Sequence, residues 1–148
     1  MDPQGYDAGK KVTGRKRHIL VDTLGLLLTV VVHPADIQDR DGLRDVLSQA
    51  RRSFPFIERI FADSGYQGPR AAAAAAQTGS WTLEIVKRVD AHRFVVVPKR
   101  WVVERTLAWT SRYRRLARDF ERYARTVAAF FRLAMIRLML RRLTRPIR

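Results

Sequence analysis

The 148 residues contain no cysteine, which excludes disulfides, thiolate zinc sites, iron–sulfur clusters and cysteine nucleophiles. Long apolar runs are missing too. The richest stretch, toward the C-terminus, is broken by Arg132 and Arg137, so nothing approaches the roughly 18 residues that a membrane span needs. Met1-Asp2-Pro3-Gln4 is acidic and polar rather than basic and then apolar, and no secretory leader is expected. A cytoplasmic protein is the expectation. No phosphate-binding loop occurs either, because Gly65 and Gly68 are not followed by Lys-Ser or Lys-Thr, and ATP chemistry is not expected.

Acidic residues are scarce: 14 Asp and Glu stand against 29 Lys and Arg, a formal charge of +15. Such an excess points to a polyanionic partner or an anionic surface. Its distribution is uneven. Residues 91–148 hold 16 bases and 3 acids, net +13, while residues 1–90 are net +2. Arginine supplies 24 of the 29 bases and Ala71 to Ala76 is an unbroken alanine run, a bias that GC-rich coding also writes.

The chain is 47% hydrophobic, enough for one domain that buries about two-thirds of its unfolded surface. Residues 1–16 are polar and turn-rich, with Lys10, Lys11, Arg15, Lys16 and Arg17 clustered around Gly14. From Arg17 to His33 the chain is rich in Ile, Leu and Val, interrupted at Asp22-Thr23-Leu24-Gly25, which predicts a hairpin of strands near 16–22 and 26–33. The second of these strands is apolar without alternation, as expected when helices cover both faces. Asp39-Arg40-Asp41 offers caps for a helix whose apolar positions are Leu43, Val46, Leu47 and Ala50. A third strand at 57–62 stops at Asp63-Ser64-Gly65-Tyr66-Gln67-Gly68, Pro69 opens a helix to about 77, and a fourth strand spans 83–87. Phe94 to Val97 reads as extended. Beyond Pro98 the pattern is helical, with Val102, Thr106, Trp109, Tyr113, Leu116 and Phe120 on one stripe and a last helix over 123–143. Strands with intervening helices, then long basic helices, predict an α/β or α+β domain.

Asp63 follows an apolar strand and precedes a glycine-containing loop, a place for a metal ligand and equally for a turn former. Glu104 is the sole acid between Asp90 and Asp119; it reads either as an ion pair with Arg100 one turn earlier or as a second ligand. Taken together, two carboxylates from a strand end and a helix suit Mg²⁺, a hard cation that prefers oxygen. Phosphoryl transfer on nucleic acid uses that arrangement. His18, His33 and His92 share no metal-binding spacing and read as structural or phosphate-adjacent. Trp101, off the apolar stripe and beside Arg100, is the better candidate than Trp109 for stacking on bases.

With these residues in view, the chain resembles the C-terminal part of the catalytic domain of bacterial DDE-type insertion-sequence transposases, the group named for insertion sequences four and five. The likeness is carried by Gly5-Tyr6-Asp7-Ala8-Gly9-Lys10-Lys11, Gly14-Arg15-Lys16-Arg17-His18 running into Val21-Asp22, His33-Pro34-Ala35-Asp36, Ala62-Asp63-Ser64-Gly65-Tyr66 and Arg100-Trp101-Val102-Val103-Glu104-Arg105. The closing Ala134 to Leu143 is similar as well, so the likeness covers nearly the whole chain.

The resemblance implies one RNase H-like domain over 1–148, a mixed sheet flanked by helices, in which an Asp-Asp-Glu triad binds Mg²⁺ or Mn²⁺. Asp63 matches the second acid and Glu104 the third. Arg100 and Glu104 fit the family's Arg-x-x-x-Glu signature; Val97 stands where Tyr is usual, and Arg112 best matches the Lys or Arg that follows. The first acid belongs to a strand upstream of the Gly5–Lys11 block, and four residues precede that block here. An N-terminally truncated domain without that strand is therefore expected, as a relic or as one reading frame of a frameshifted element. Asp7 and Asp22, the nearest substitutes, belong to other blocks.

The implied activity is DNA transposition, with binding of transposon ends and target DNA and, in the complete enzyme, metal-dependent cleavage and joining of strands. The residues expected on DNA are Lys10, Lys11, Arg15, Lys16, Arg17, Arg100, Trp101, Arg105, Arg112 and Arg115. The expected setting is the bacterial nucleoid, as a homo-oligomer or paired with full-length transposase. Two other readings stand beside it. One is a catalytically incomplete fragment that only binds DNA; the other is a basic protein lying on anionic membranes through residues 123–143.

Overall fold

A computed structural model of the chain describes residues 2–86 and 98–144. The elements in order are β1 (Gly5–Asp7), β2 (Val12–Val21), β3 (Leu27–Pro34), α1 (Asp39–Ser53), β4 (Arg59–Ala62), a 3₁₀ turn (Ser64–Tyr66), α2 (Pro69–Thr78), β5 (Thr82–Ile85), α3 (Pro98–Ser111), α4 (Arg114–Ala117) and α5 (Ala124–Leu143). Helices and strands mix as expected. The expected extended run Phe94–Val97, the end of the fourth strand at Lys87, and His92 lie outside the described residues.

The strands form two sheets, an antiparallel one in the order β1-β2-β3 and a parallel pair β4-β5. The β2–β3 hairpin turns where Asp22 interrupts the apolar run, its carboxylate accepting the Leu24 and Leu26 N–H groups at 2.9 and 2.8 Å. Gly25 sits there at φ 80°, a backbone conformation that side chains resist. β1 was not legible as a strand in the polar N-terminal stretch. It pairs with residues 12–14 of β2 through a turn in which the Asp7 carboxylate accepts the Gly9 and Lys10 N–H groups.

Strand β3 is covered on both faces, which explains its lack of alternation. Val30 joins Val127, Phe131, Ala134 and Met135 of α5 in one core, while the neighbouring Thr29, pointing the other way, hydrogen-bonds Gln49 of α1 at 3.1 Å. A second core forms where Leu43, Leu47 and Ala50 of α1 meet Ile60, Ala71, Ala75 and Trp81. α1 starts as expected but is capped differently. Its N-cap is Gln38 without a side-chain bond, and Asp39 and Asp41 lie in the first turn, where they favour the helix dipole.

The long helix expected from Pro98 onward is divided. α3 ends at Ser111, α4 is four residues long, and Phe120, placed on the apolar stripe by periodicity, is 56% exposed. No Pro or Gly lies in 112–123 to announce the break. Beyond the break, groups distant in sequence hold the chain: Arg17 donates to Leu116 O at 2.6 Å, and Arg15 donates to Glu121 O and Arg122 O at 2.7 and 2.9 Å. Side chains of β2 thus tie α4 and the segment after it to the sheet. α5 then starts at Ala124, whose N–H is capped by the Asp2 carboxylate at 2.7 Å.

Candidate active site

Asp63 stands at the end of β4, where its Oδ1 accepts the Gly65 N–H at 2.8 Å and closes the 3₁₀ turn. It is therefore a turn former, and that bond uses one of its two oxygens. The turn ends on Tyr66, whose hydroxyl shares a 2.9 Å hydrogen bond with His18 Nδ1 of β2. Burial, then the charges of Asp39 and Asp63, push the Tyr66 phenol up, so it keeps its proton. Burial also pushes His18 down, with the neighbouring His33 acting in the same direction. The pair is a neutral hydrogen bond within the structure, in keeping with the structural reading of His18.

Asp39 faces the same turn. A Cβ on Gly65 would fall 2.9 Å from Asp39 Oδ2 and 3.0 Å from Asp63 Oδ1, so the missing side chain leaves room between the two carboxylates. Lys16 approaches Asp39 and Asp7 at 3.6 and 3.5 Å and donates to Ile37 O at 3.0 Å. The Lys10 N–H and the Lys16 charge in turn hold Asp7 below its ordinary value.

Glu104 comes from the second turn of α3. Asp63 and Glu104 both line one cavity of about 610 Å³, together with Lys16, Asp39 and Tyr66. Two neighbours of Glu104 fix its helix: Thr106 donates to Gly25 O at 2.7 Å and Arg105 donates to Leu24 O at 2.8 Å. The hairpin turn and α3 are thereby locked together. The carboxylates of this lining suit a hard divalent cation, although His18, Tyr66 and the cationic Lys16 and Arg17 line the same cavity. Among the described residues, no three carboxylate or imidazole groups come close enough to hold one.

The basic residues divide into engaged and open groups. Arg15 is turned inward: its side chain is 1% exposed, bonded to Asp119 at 3.0 Å and to the Asp2, Glu121 and Arg122 carbonyls. Arg17 is tied to Leu116 O and Lys16 to Ile37 O and its two carboxylates, while Arg115 is held by Glu121 with a 2.7 Å bond from Nε. Lys10, Lys11 and Arg112 are exposed. Arg100 lies in α3, ahead of Glu104. Trp101 is 45% exposed and starts a ladder in which Arg105 sits 4.6 Å from its ring and 4.9 Å from Trp109, with Arg142 of α5 4.6 Å from Trp109 on the same ladder. Trp109 is thus half-buried between guanidinium groups rather than in the apolar core.

Sequence reading missed Asp39, taken as a cap, and Tyr66, taken as a loop residue. No local spacing announces a contact such as His18–Tyr66, which joins residues 48 apart.

Residues 1–139 match the family described as the transposase DDE domain. Over 128 residues the chain is 34% identical to a protein of Burkholderia cepacia assigned as the transposase for insertion sequence element IS402, covering 81% of this chain. The chain spans 60% of that relative's length. No solved structure matches it.

Proposed function

Because the chain belongs to the family of transposase DDE domains, we propose that it works in DNA transposition, with Asp63 and Glu104 as the second and third acids of a metal-binding Asp-Asp-Glu set. The observation that supports this reading is that Asp63, directly after β4, and Glu104 of α3 line the same cavity. Asp63 and Glu104 would hold a Mg²⁺ or Mn²⁺ ion there, which would supply Lewis-acid stabilisation of charge on a phosphodiester. The remaining tasks fall to the chain. Lys10, Lys11 and Arg112 are exposed to meet phosphates, Trp101 offers a ring for a base, and Arg105 holds that ring in place.

We read the two sheets as halves of one RNase H-like sheet. Residues of β2 such as Ile19 and residues of β4 such as Ile60 line the cavity between them, where one further strand bearing the first acid would unite them. A second reading is that residues 1–148 alone bind DNA without cutting it, since Asp63 and Glu104 supply two of the three acids that the family set requires. Transposon ends and target DNA are the proposed partners, and a homo-oligomer or a pair with full-length transposase in the bacterial nucleoid is the proposed setting. Among the described residues no helix is long and apolar enough to cross a membrane.

The test compares residues 1–148 with the same chain extended by the strand-bearing segment of a full-length transposase. The extended protein should nick transposon-end DNA with Mg²⁺, and Asp63→Ala or Glu104→Ala should abolish this. Cleavage that survives both substitutions would overturn the assignment. Cleavage by residues 1–148 alone that Asp7→Ala or Asp22→Ala stops would show a substitute first acid.

A further inference from the structure

The turn that carries Asp63 is closed locally by the Gly65 N–H bond to Asp63 Oδ1 at 2.8 Å and needs a further hold to set its place against the sheet. Ser64 and Gly65 are exposed, and within the turn Tyr66 N–H meets Asp63 O at 3.1 Å and Gln67 N–H meets Ser64 O at 3.2 Å. Its far end is anchored by Tyr66, whose ring stands edge-on to His18, centroids 6.2 Å apart at 78°, with the 2.9 Å hydroxyl bond alongside. His18 in turn has no freedom to swing. It is 2% exposed, its ring lies 5.2 Å from that of His33, and a Cβ on Gly42 of α1 would come within 2.8–3.0 Å of three of its ring atoms.

This seat is chemically costly. His18 Nε2 is buried with no hydrogen-bond partner in the structure, whereas an apolar side chain of similar size would leave no polar atom stranded there. The imidazole is accounted for by its other nitrogen, the one that reaches Tyr66.

We propose that His18 and Tyr66 are positioning residues for Asp63, with Gly42 providing the space that lets the imidazole sit where it can hold the tyrosine. The pair fixes the 3₁₀ turn against β2 and so fixes the direction in which the Asp63 carboxylate enters the cavity. This rests on the reading of Asp63 as a metal ligand. The roles are graded. Tyr66→Phe keeps the ring contact and removes the bond, His18→Leu removes both the bond and the stranded nitrogen, and His18→Asn places an amide where Nδ1 was and restores a partner for the hydroxyl.

The experiment uses residues 1–148 and two NMR readouts: amide hydrogen exchange along the chain, and broadening of the residue 62–67 amides by Mn²⁺. Tyr66→Phe and His18→Leu should speed exchange at Gly65–Gln67 about tenfold and raise the Mn²⁺ concentration for half-broadening by a similar factor, with β2 and β3 amides unchanged. His18→Asn should stay near the parent in both. Turn exchange at parental rates in Tyr66→Phe and His18→Leu would overturn the proposal. So would equal loosening across β2 and β3, which would make the pair ordinary core. If the parent turn is not broadened by Mn²⁺ while its exchange responds as expected, the positioning of the turn stands and the metal-ligand reading of Asp63 fails.

Discussion

At the scale of single residues, an arginine in a basic cluster and a histidine in a strand both do interior work. Arg15 serves Asp119 and three backbone carbonyls from a side chain that is 1% exposed. Arg15→Ala leaves those part-buried acceptors without their donor and should cost about 1–3 kcal/mol in urea denaturation. Arg15→Lys keeps the charge but loses the planar fork, and should recover only a minor part of the loss. His18 makes a pH prediction with a definite sign. Burial and then His33 hold its imidazole below the ordinary 6.5, Lys16 adds to this, and Asp39 and Asp45 oppose it. Above about pH 6.5 the ring is neutral whether the chain is folded or not. As pH falls through that value the unfolded chain takes up the proton first, so stability falls with acidification. Urea midpoints measured between about pH 7.5 and about pH 5.5 should decline, and His18→Asn should flatten that slope.

At the scale of elements, the position of Glu104 depends on a turn far from it in sequence. Thr106 Oγ1 donates to Gly25 O across 81 residues, and a Cβ on Gly25 would approach that oxygen at 2.8 Å. Thr106→Val removes a buried bond and should cost about 1–3 kcal/mol; in a complete enzyme it should also depress strand cleavage. Ser111→Ala is the control, since the Ser111 hydroxyl only returns to Ala108 O of its own helix, and it should leave both stability and cleavage near the parent. α5 shows a similar dependence. Its N-cap residue Tyr123 makes no side-chain cap and Asp2 supplies one from the other end of the chain. Asp2→Ala should therefore cost about 1 kcal/mol, readable as a lowered melting temperature and as faster amide exchange in the first turn of α5.

At the scale of the whole molecule, charge is the dominant feature, and its placement matters more than its sum. The +15 total includes guanidinium groups that the fold uses internally, such as those of Arg15 and Arg17, so fewer cations are open to a polyanion such as the proposed DNA than the composition suggests. α5 carries five arginines and no acid, and among them Arg132, Arg137, Arg141 and Arg142 are exposed. Duplex affinity should fall linearly with salt on logarithmic axes. Replacing these four by glutamine should make the slope shallower by about one unit for each phosphate no longer neutralised. A slope that stays at the parental value would move the DNA surface away from α5.

Much of this molecule is legible in local pattern. The β2–β3 hairpin, α1, the Pro69 helix and the burial of β3 on both faces follow from residues within a few positions of each other, because turn chemistry and periodicity are local properties. The strand-end place of Asp63 and the helical place of Glu104 are local in the same sense, and the ordered blocks around them point to the family. What residue order could not show is any arrangement made by partners far apart in the chain. β1 exists because residues 12–14 offer it an edge; the segments after Ser111 are held where Arg15 and Arg17 bond the Glu121 and Leu116 carbonyls. Asp39 and Tyr66 join the site because α1 and β2 are folded against the turn. Each of these depends on groups that the tertiary structure brings together from distant parts of the chain, which the weak preference of a local segment for helix or loop does not specify.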